Sequence, residues 1–144
     1  MSIRGGCLCG ALTYELESPP AVAVNCHCSI CRRVHGATYG SFAVIAKSKF
    51  KWTNGENDLA EYESAPGNTR QFCRQCGSQV TVIEGWNPDG ITICMGSFYD
   101  DPEVRPSSHM YVGSKAPWCE ITDDLPQSQE WPPGIGPMRN SEAS

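Results

Sequence analysis

The chain has 144 residues, nine of them cysteine, and a formal net charge of -5. That length suits one domain with a core large enough to do without disulfides, and the acidic balance argues against a nucleic-acid partner. No stretch approaches the roughly 18 consecutive apolar residues of a membrane span, and the first nine residues contain no apolar signal region. The expectation is therefore a soluble, cytoplasmic protein with no membrane partner. In that setting clustered cysteines, odd in number, are metal ligands rather than disulfides.

Residues 1–10 end in Gly5-Gly6-Cys7-Leu8-Cys9-Gly10, two thiols one residue apart among glycines that let the backbone turn around an ion. From Ala11 to Glu17, Leu12, Tyr14 and Leu16 alternate with polar residues, the period of a half-buried strand; Ser18-Pro19-Pro20 ends it. A short apolar run, Ala21 to Asn25, leads into Cys26-His27-Cys28-Ser29-Ile30-Cys31-Arg32-Arg33. A short helix is predicted between Ser29, as N-cap, and Gly36. This places Cys31 in the first turn, where free backbone N–H groups favour a thiolate.

Short strands are predicted at Tyr39–Ala46, Phe50–Thr53 and Leu59–Ser64, with Asn54-Gly55 as a hairpin turn between the last two and Pro66-Gly67-Asn68 as a further turn. Thr69 to Ser78 contains Cys73-Arg74-Gln75-Cys76-Gly77, the form of a zinc knuckle, in which Gly77 takes the positive φ that follows the second thiol. Strands at Gln79–Ile83 and Gly90–Gly96 flank a loop at Trp86–Gly90, and His109–Val112 is the last strand. Residues 126–144, with four prolines and little periodicity, read as a tail without a core of its own, lying along the domain of residues 1–125 or moving freely.

The pairs Cys7/Cys9 and Cys73/Cys76 together make a closed tetrahedron of four thiolates, a structural site with no place for a substrate. The triple Cys26, Cys28, Cys31 stands alone, with either a position open to a ligand or a fourth donor from elsewhere, His35 or Cys94. Thiolates suit zinc, and also iron or copper(I). His27 is expected to point away from the metal, Cys94 to be a small buried hydrophobe, and His109 to be either a proton donor near a pocket or a satisfied structural histidine. Cys119 carries no functional argument. Arg32, Arg33, Arg70 and Arg74 are local basic groups, and the two that follow the triple are the best anion anchors. A redox role for Cys73-x-x-Cys76 is the weaker alternative to metal.

These three cysteine motifs, with Gly96-Ser97-Phe98-Tyr99-Asp100-Asp101-Pro102, Arg105-Pro106-Ser107-Ser108-His109 and Lys115-Ala116-Pro117-Trp118, resemble the glutathione-dependent formaldehyde-activating enzyme family, which includes centromere protein V. The resemblance runs to Leu125-Pro126. It implies a mainly β fold, a β-tent of two zinc-pinned sheets with short helical segments. It also implies two zinc ions, a structural one on Cys7, Cys9, Cys73 and Cys76 and a catalytic one on Cys26, Cys28 and Cys31. The activity it implies is a carbon-sulfur lyase joining formaldehyde to glutathione. On that expectation a thiol takes the open position and attacks a small aldehyde, Arg32 and Arg33 pair with the thiol's carboxylates, and Phe72, Phe98 or Trp118 wall the pocket. The competing expectation is a non-catalytic module with two structural zinc sites that binds a protein or a small thiol.

Overall fold

The structure, a computed structural model, describes residues 2–137; positions 138–144 of the predicted tail lie outside the described residues. Ten strands form two sheets. The smaller is β1 (Ile3–Gly6), β2 (Thr13–Leu16) and β5 (Phe50–Asn54), in that spatial order. The larger has β3 (Val22–Cys26), β4 (Gly40–Ala46), β6 (Leu59–Ala65), β7 (Asn68–Cys73), β8 (Gln79–Glu84), β9 (Gly90–Cys94) and β10 (His109–Met110). Its order is β10-β3-β4-β9-β8-β7-β6, antiparallel except for β10 beside β3. One α-helix, α1 (Ser29–His35), joins β3 to β4. No helix among the described residues is long and apolar enough to cross a membrane.

The sheets pack face to face because β2 and β9 carry the right patterns for it. On β2, Tyr14 and Leu16 are fully buried while Thr13 and Glu15 are not. β9 lies between β4 and β8 and is buried along its whole length, so it reads as a continuous apolar run rather than an alternating one. Ile91 and Ile93 join a core with Ile3, Leu12, Tyr14 and Leu16, under the small sheet. Cys94 joins a second core with Val24, Phe42, Val82 and Met110, which also contains Cys26 and Cys31.

The predicted hairpin at Asn54-Gly55 does not form. β5 leaves to pair with β2, and β6 begins the far edge of the other sheet. The glycine is there for a different reason: its φ is +84°, and a Cβ at that point would stand 1.8 Å from the Ala11 carbonyl oxygen. Gly55→Ala is therefore expected to cost at least about 2 kcal/mol, from a left-handed backbone and an unrelieved overlap, read as a lower denaturant midpoint. The turn at Pro66-Gly67 does join β6 to β7, and residues 85–89 do loop between β8 and β9.

Three strands carry no strand pattern in the sequence: β1 in the glycine-rich opening, β3 in the short apolar run, and β7 inside the stretch that ends in the knuckle. The last predicted strand stops at Met110. Tyr111 takes a φ of +57°, and a short 3-10 turn, residues 112–114, follows. The described part of the tail is docked. His109 N–H donates to the Pro126 carbonyl and Ser128 N–H to that of His109, while Tyr111 N–H donates to the Glu130 carbonyl, extending the sheet edge beyond β10.

Candidate metal centre and chamber

The four-thiol cluster assembles as the spacing predicts. Cys7 and Cys9 lie on the turn between β1 and β2; Cys73 ends β7, and Cys76 follows in the turn before β8. Their sulfurs all lie within 4.8 Å of one another. Backbone amides point inward, with Leu12 N–H at 3.2 Å from Cys7 Sγ and Gln75 N–H at 3.3 Å from Cys73 Sγ. The Ser78 hydroxyl stands 3.2 Å from Cys76 Sγ, and that hydrogen bond pushes the Cys76 thiol down to about 5. Gly77 has the predicted positive φ, +78°.

The second cluster is Cys26, Cys28 and Cys31, again with all sulfurs within 4.8 Å. Cys26 is the last residue of β3. The N-cap of α1 is Cys28 rather than the expected Ser29: its sulfur accepts the N–H of Cys31 at 3.3 Å, the role usually taken by an oxygen side chain. Gly36 closes the helix in the left-handed conformation, as predicted. The Cys28 thiol is held far below its ordinary value because the Cys26 thiol, then the Cys31 thiol, donates to it; the Cys26 thiol is correspondingly pushed up. Three crowded sulfurs that cannot all ionise together form a donor set that a soft divalent cation would satisfy.

No fourth His, Cys, Asp or Glu among the described residues joins this triple. His35 turns to Cys94, with Nε2 4.0 Å from its sulfur, and stacks edge-on against Phe42. Cys94 is the small buried hydrophobe expected of it, and burial pushes its thiol up to about 12.

His27 points away from the cluster. Fully buried, its Nε2 meets His109 Nδ1 at 2.8 Å, and His109 Nε2 meets the Asp123 carboxylate at 2.9 Å. Burial, then the neighbouring His109 ring, pushes His27 down to about 4, so it is neutral at pH 7. Asp123 needs a donor from His109 Nε2. His109 Nδ1 shares its hydrogen bond with His27 Nε2, and the other His27 nitrogen, Nδ1, has no partner among the described residues. His109 is thus a satisfied structural histidine, locking the Cys26-x-Cys28 turn to the segment after β10.

The triple opens on a chamber of about 320 Å³ between the second core and the docked tail. Its walls include Val24, Phe42, Val82, Met110, Tyr111 and Trp131, with Arg70 and Glu84 as the charged groups among the described residues. None of the five predicted substrate residues lines it. Arg32 donates to the Ser114 carbonyl and Arg33 is exposed. Phe72 lies on β7, Phe98 packs edge-on against Tyr14 in the other core, and Trp118 is 70% exposed. The sequence reading missed Trp131 because its segment has no periodicity, and left Arg70 as one basic residue among four.

The family profile described as glutathione-dependent formaldehyde-activating enzyme matches residues 2–114. A protein of Halomonas elongata, provisionally named a glutathione-dependent formaldehyde-activating enzyme, is 28% identical over 130 residues, which span 84% of this chain and 82% of that one. A crystal structure of a Rhodobacter sphaeroides protein has a TM-score of 0.58 at 27% identity, covering 72% of this chain and 91% of that chain. The profile match spans both thiol clusters, and the chain belongs to the glutathione-dependent formaldehyde-activating enzyme family.

Proposed function

We propose that the protein is a carbon-sulfur lyase of the cytoplasm that reversibly joins a small aldehyde to a thiol, with formaldehyde and glutathione as the parent pair, and that it holds two zinc ions. The observation that carries this reading is the contrast between the clusters: one offers four thiols to a metal, the other three, and the second faces a chamber. Cys7, Cys9, Cys73 and Cys76 hold the structural ion; Cys26, Cys28 and Cys31 hold the other.

Zinc at the second cluster supplies a soft cation at which a substrate thiol is deprotonated. The chain does the rest. Phe42, Val24, Val82 and Met110 give the chamber an apolar lining, which disfavours hydration of the aldehyde there. The sulfur lone pair forms the carbon-sulfur bond, the carbonyl π pair moves to oxygen, and that oxygen takes up a proton equivalent to the one the thiol released. Nothing is oxidised or reduced. Arg32 and Arg33, on the same helix as Cys31, are the groups to hold the carboxylates of a thiol longer than the chamber.

Cys31→Ser tests the reading. Formaldehyde-glutathione exchange followed by NMR is expected to lose its acceleration by at least about 100-fold, with metal content falling by one ion per chain and the other retained. Unchanged acceleration would eliminate the mechanism.

A further inference from the structure

Arg70 extends from β7 into the chamber and is only 7% exposed. Its Nε donates to Ser64 Oγ at 3.0 Å, its Nη2 stands 3.6 Å from Cys31 Sγ, and its guanidinium lies 5.9 Å from the Phe42 ring centroid. Nη1 is buried with no hydrogen-bond partner among the described residues. An unsatisfied donor on a buried cation is costly to keep. No carboxylate among the described residues pairs with it: Glu84, the one acid they give the chamber wall, accepts from Thr92 Oγ1 at 2.7 Å and from Trp86 Nε1 at 2.6 Å. The guanidinium as a whole, held on one side by Ser64, therefore stands beside the Cys31 sulfur as the charged donor of the chamber wall.

The rest of the wall has different chemistry. Among the described residues Arg70 is its one cation, so the two carboxylates of a peptide-like thiol have no second partner among them inside. It offers aromatic and branched aliphatic surface instead, with the Trp131 ring edge-on to Tyr111 and Trp86 at 5.9 and 5.6 Å. At about 30 Å³ per water, a chamber of this size holds roughly ten waters, whereas formaldehyde has two heavy atoms.

We infer that Arg70 binds the carbonyl oxygen in the chamber, and that the carbonyl compound it selects carries an apolar body larger than formaldehyde. The inference rests on the lyase reading and adds the substrate class to it. Nη2 already reaches Cys31, so an aldehyde attacked by a sulfur seated beside that thiol has its oxygen near the guanidinium. As the carbon-sulfur bond forms, the π pair becomes an alkoxide, and the Arg70 guanidinium meets the charge where it develops, among largely apolar walls. The oxygen then takes up a proton equivalent to the one released by the thiol; cleavage runs the same path backwards.

The test has a binding arm and a kinetic arm. In the first, benzoate and acetate, unreactive oxygen ligands with and without an apolar body, are titrated into the metal-loaded protein and followed by tryptophan fluorescence. Benzoate is expected to bind at least about tenfold more tightly than acetate. Arg70→Gln is expected to weaken benzoate at least about tenfold, with metal content unchanged. In the second, glutathione exchange is measured with benzaldehyde and with formaldehyde. Arg70→Gln lowers kcat for both, and Arg70→Lys, which keeps the charge and serves as the second variant should glutamine unfold the chain, restores part of the loss. Benzoate binding unaltered in both variants, or acetate binding as tightly as benzoate, overturns the inference. Exchange that depends on Cys31 but is indifferent to Arg70 overturns it while leaving the lyase reading standing. Benzoate bound through Arg70 by a wild-type protein that accelerates no exchange sinks the lyase reading and leaves the oxygen-binding role of Arg70.

Discussion

Cys73→Ser is expected to leave the chain without a cooperative unfolding transition at ordinary temperature. Cys73 is fully buried, and its sulfur lies 3.8 Å from Cys9, 64 residues earlier in the sequence. It is thus half of the clasp between the β1-β2 turn and the end of β7, which fastens the small sheet to the large one. A structural zinc site contributes about 10–16 kcal/mol of binding energy that the unfolded chain does not collect, while a domain of this size has only about 5–15 kcal/mol of net stability. Losing one ligand therefore puts the whole margin at stake. The measurement is metal per chain by plasma emission together with a thermal melt by circular dichroism. Two retained ions and an unshifted melt would show that the four-thiol cluster does not hold the fold.

Tyr14→Ala is expected to have the next largest effect, without touching either cluster. Its ring is fully buried, stacked on Phe50 at 5.1 Å and edge-on to Trp52 and Phe98 at 6.1 and 6.0 Å, and burial raises its hydroxyl pKa well above the ordinary tyrosine value. Truncating such a ring costs about 3–5 kcal/mol, which for roughly 150 residues lowers Tm by about 6–20 °C. Tyr14→Phe separates packing from hydrogen bonding. It removes one bond, 2.7 Å to Ser97 Oγ, and the serine keeps its other, to the Cys94 carbonyl. The cost is then about 1 kcal/mol. Equal losses in the two variants, or a changed metal content, would contradict this account of the core.

The thiol clusters were legible because their spacing is local: a pair one residue apart, a triple and a knuckle each announce a metal without reference to the fold. The alternation of β2 and the apolar run of β9 were legible for the same reason, since sheet position is written directly into burial. β7 was not. Asn68–Cys73 carries Thr, Arg and Gln, and an arginine directed into a chamber resembles a solvated arginine until the surrounding sheet is known. The helix cap was misplaced by one residue because a cysteine, already counted as a ligand, also does the work of a capping oxygen. The expected pocket aromatics lie outside the chamber for a topological reason. Phe98 belongs to the core under the small sheet, whereas the chamber wall is completed by Trp131 and Ile135, from a proline-rich segment whose docking depends on hydrogen bonds to β10.

The sequence separation within each cluster sets an order of events during synthesis. The triple is complete once residue 31 has left the ribosome, but Cys9 must wait 64 residues for Cys73, which at 5–20 residues per second is a delay of about 3–13 s. On the two-ion reading proposed above, the locally encoded cluster is able to load its ion while the chain is nascent, before the small sheet is fastened down. The chamber wall, whose last described residue is Pro137, emerges later still. An ion can thus reach the triple through a side that is walled off in the finished protein.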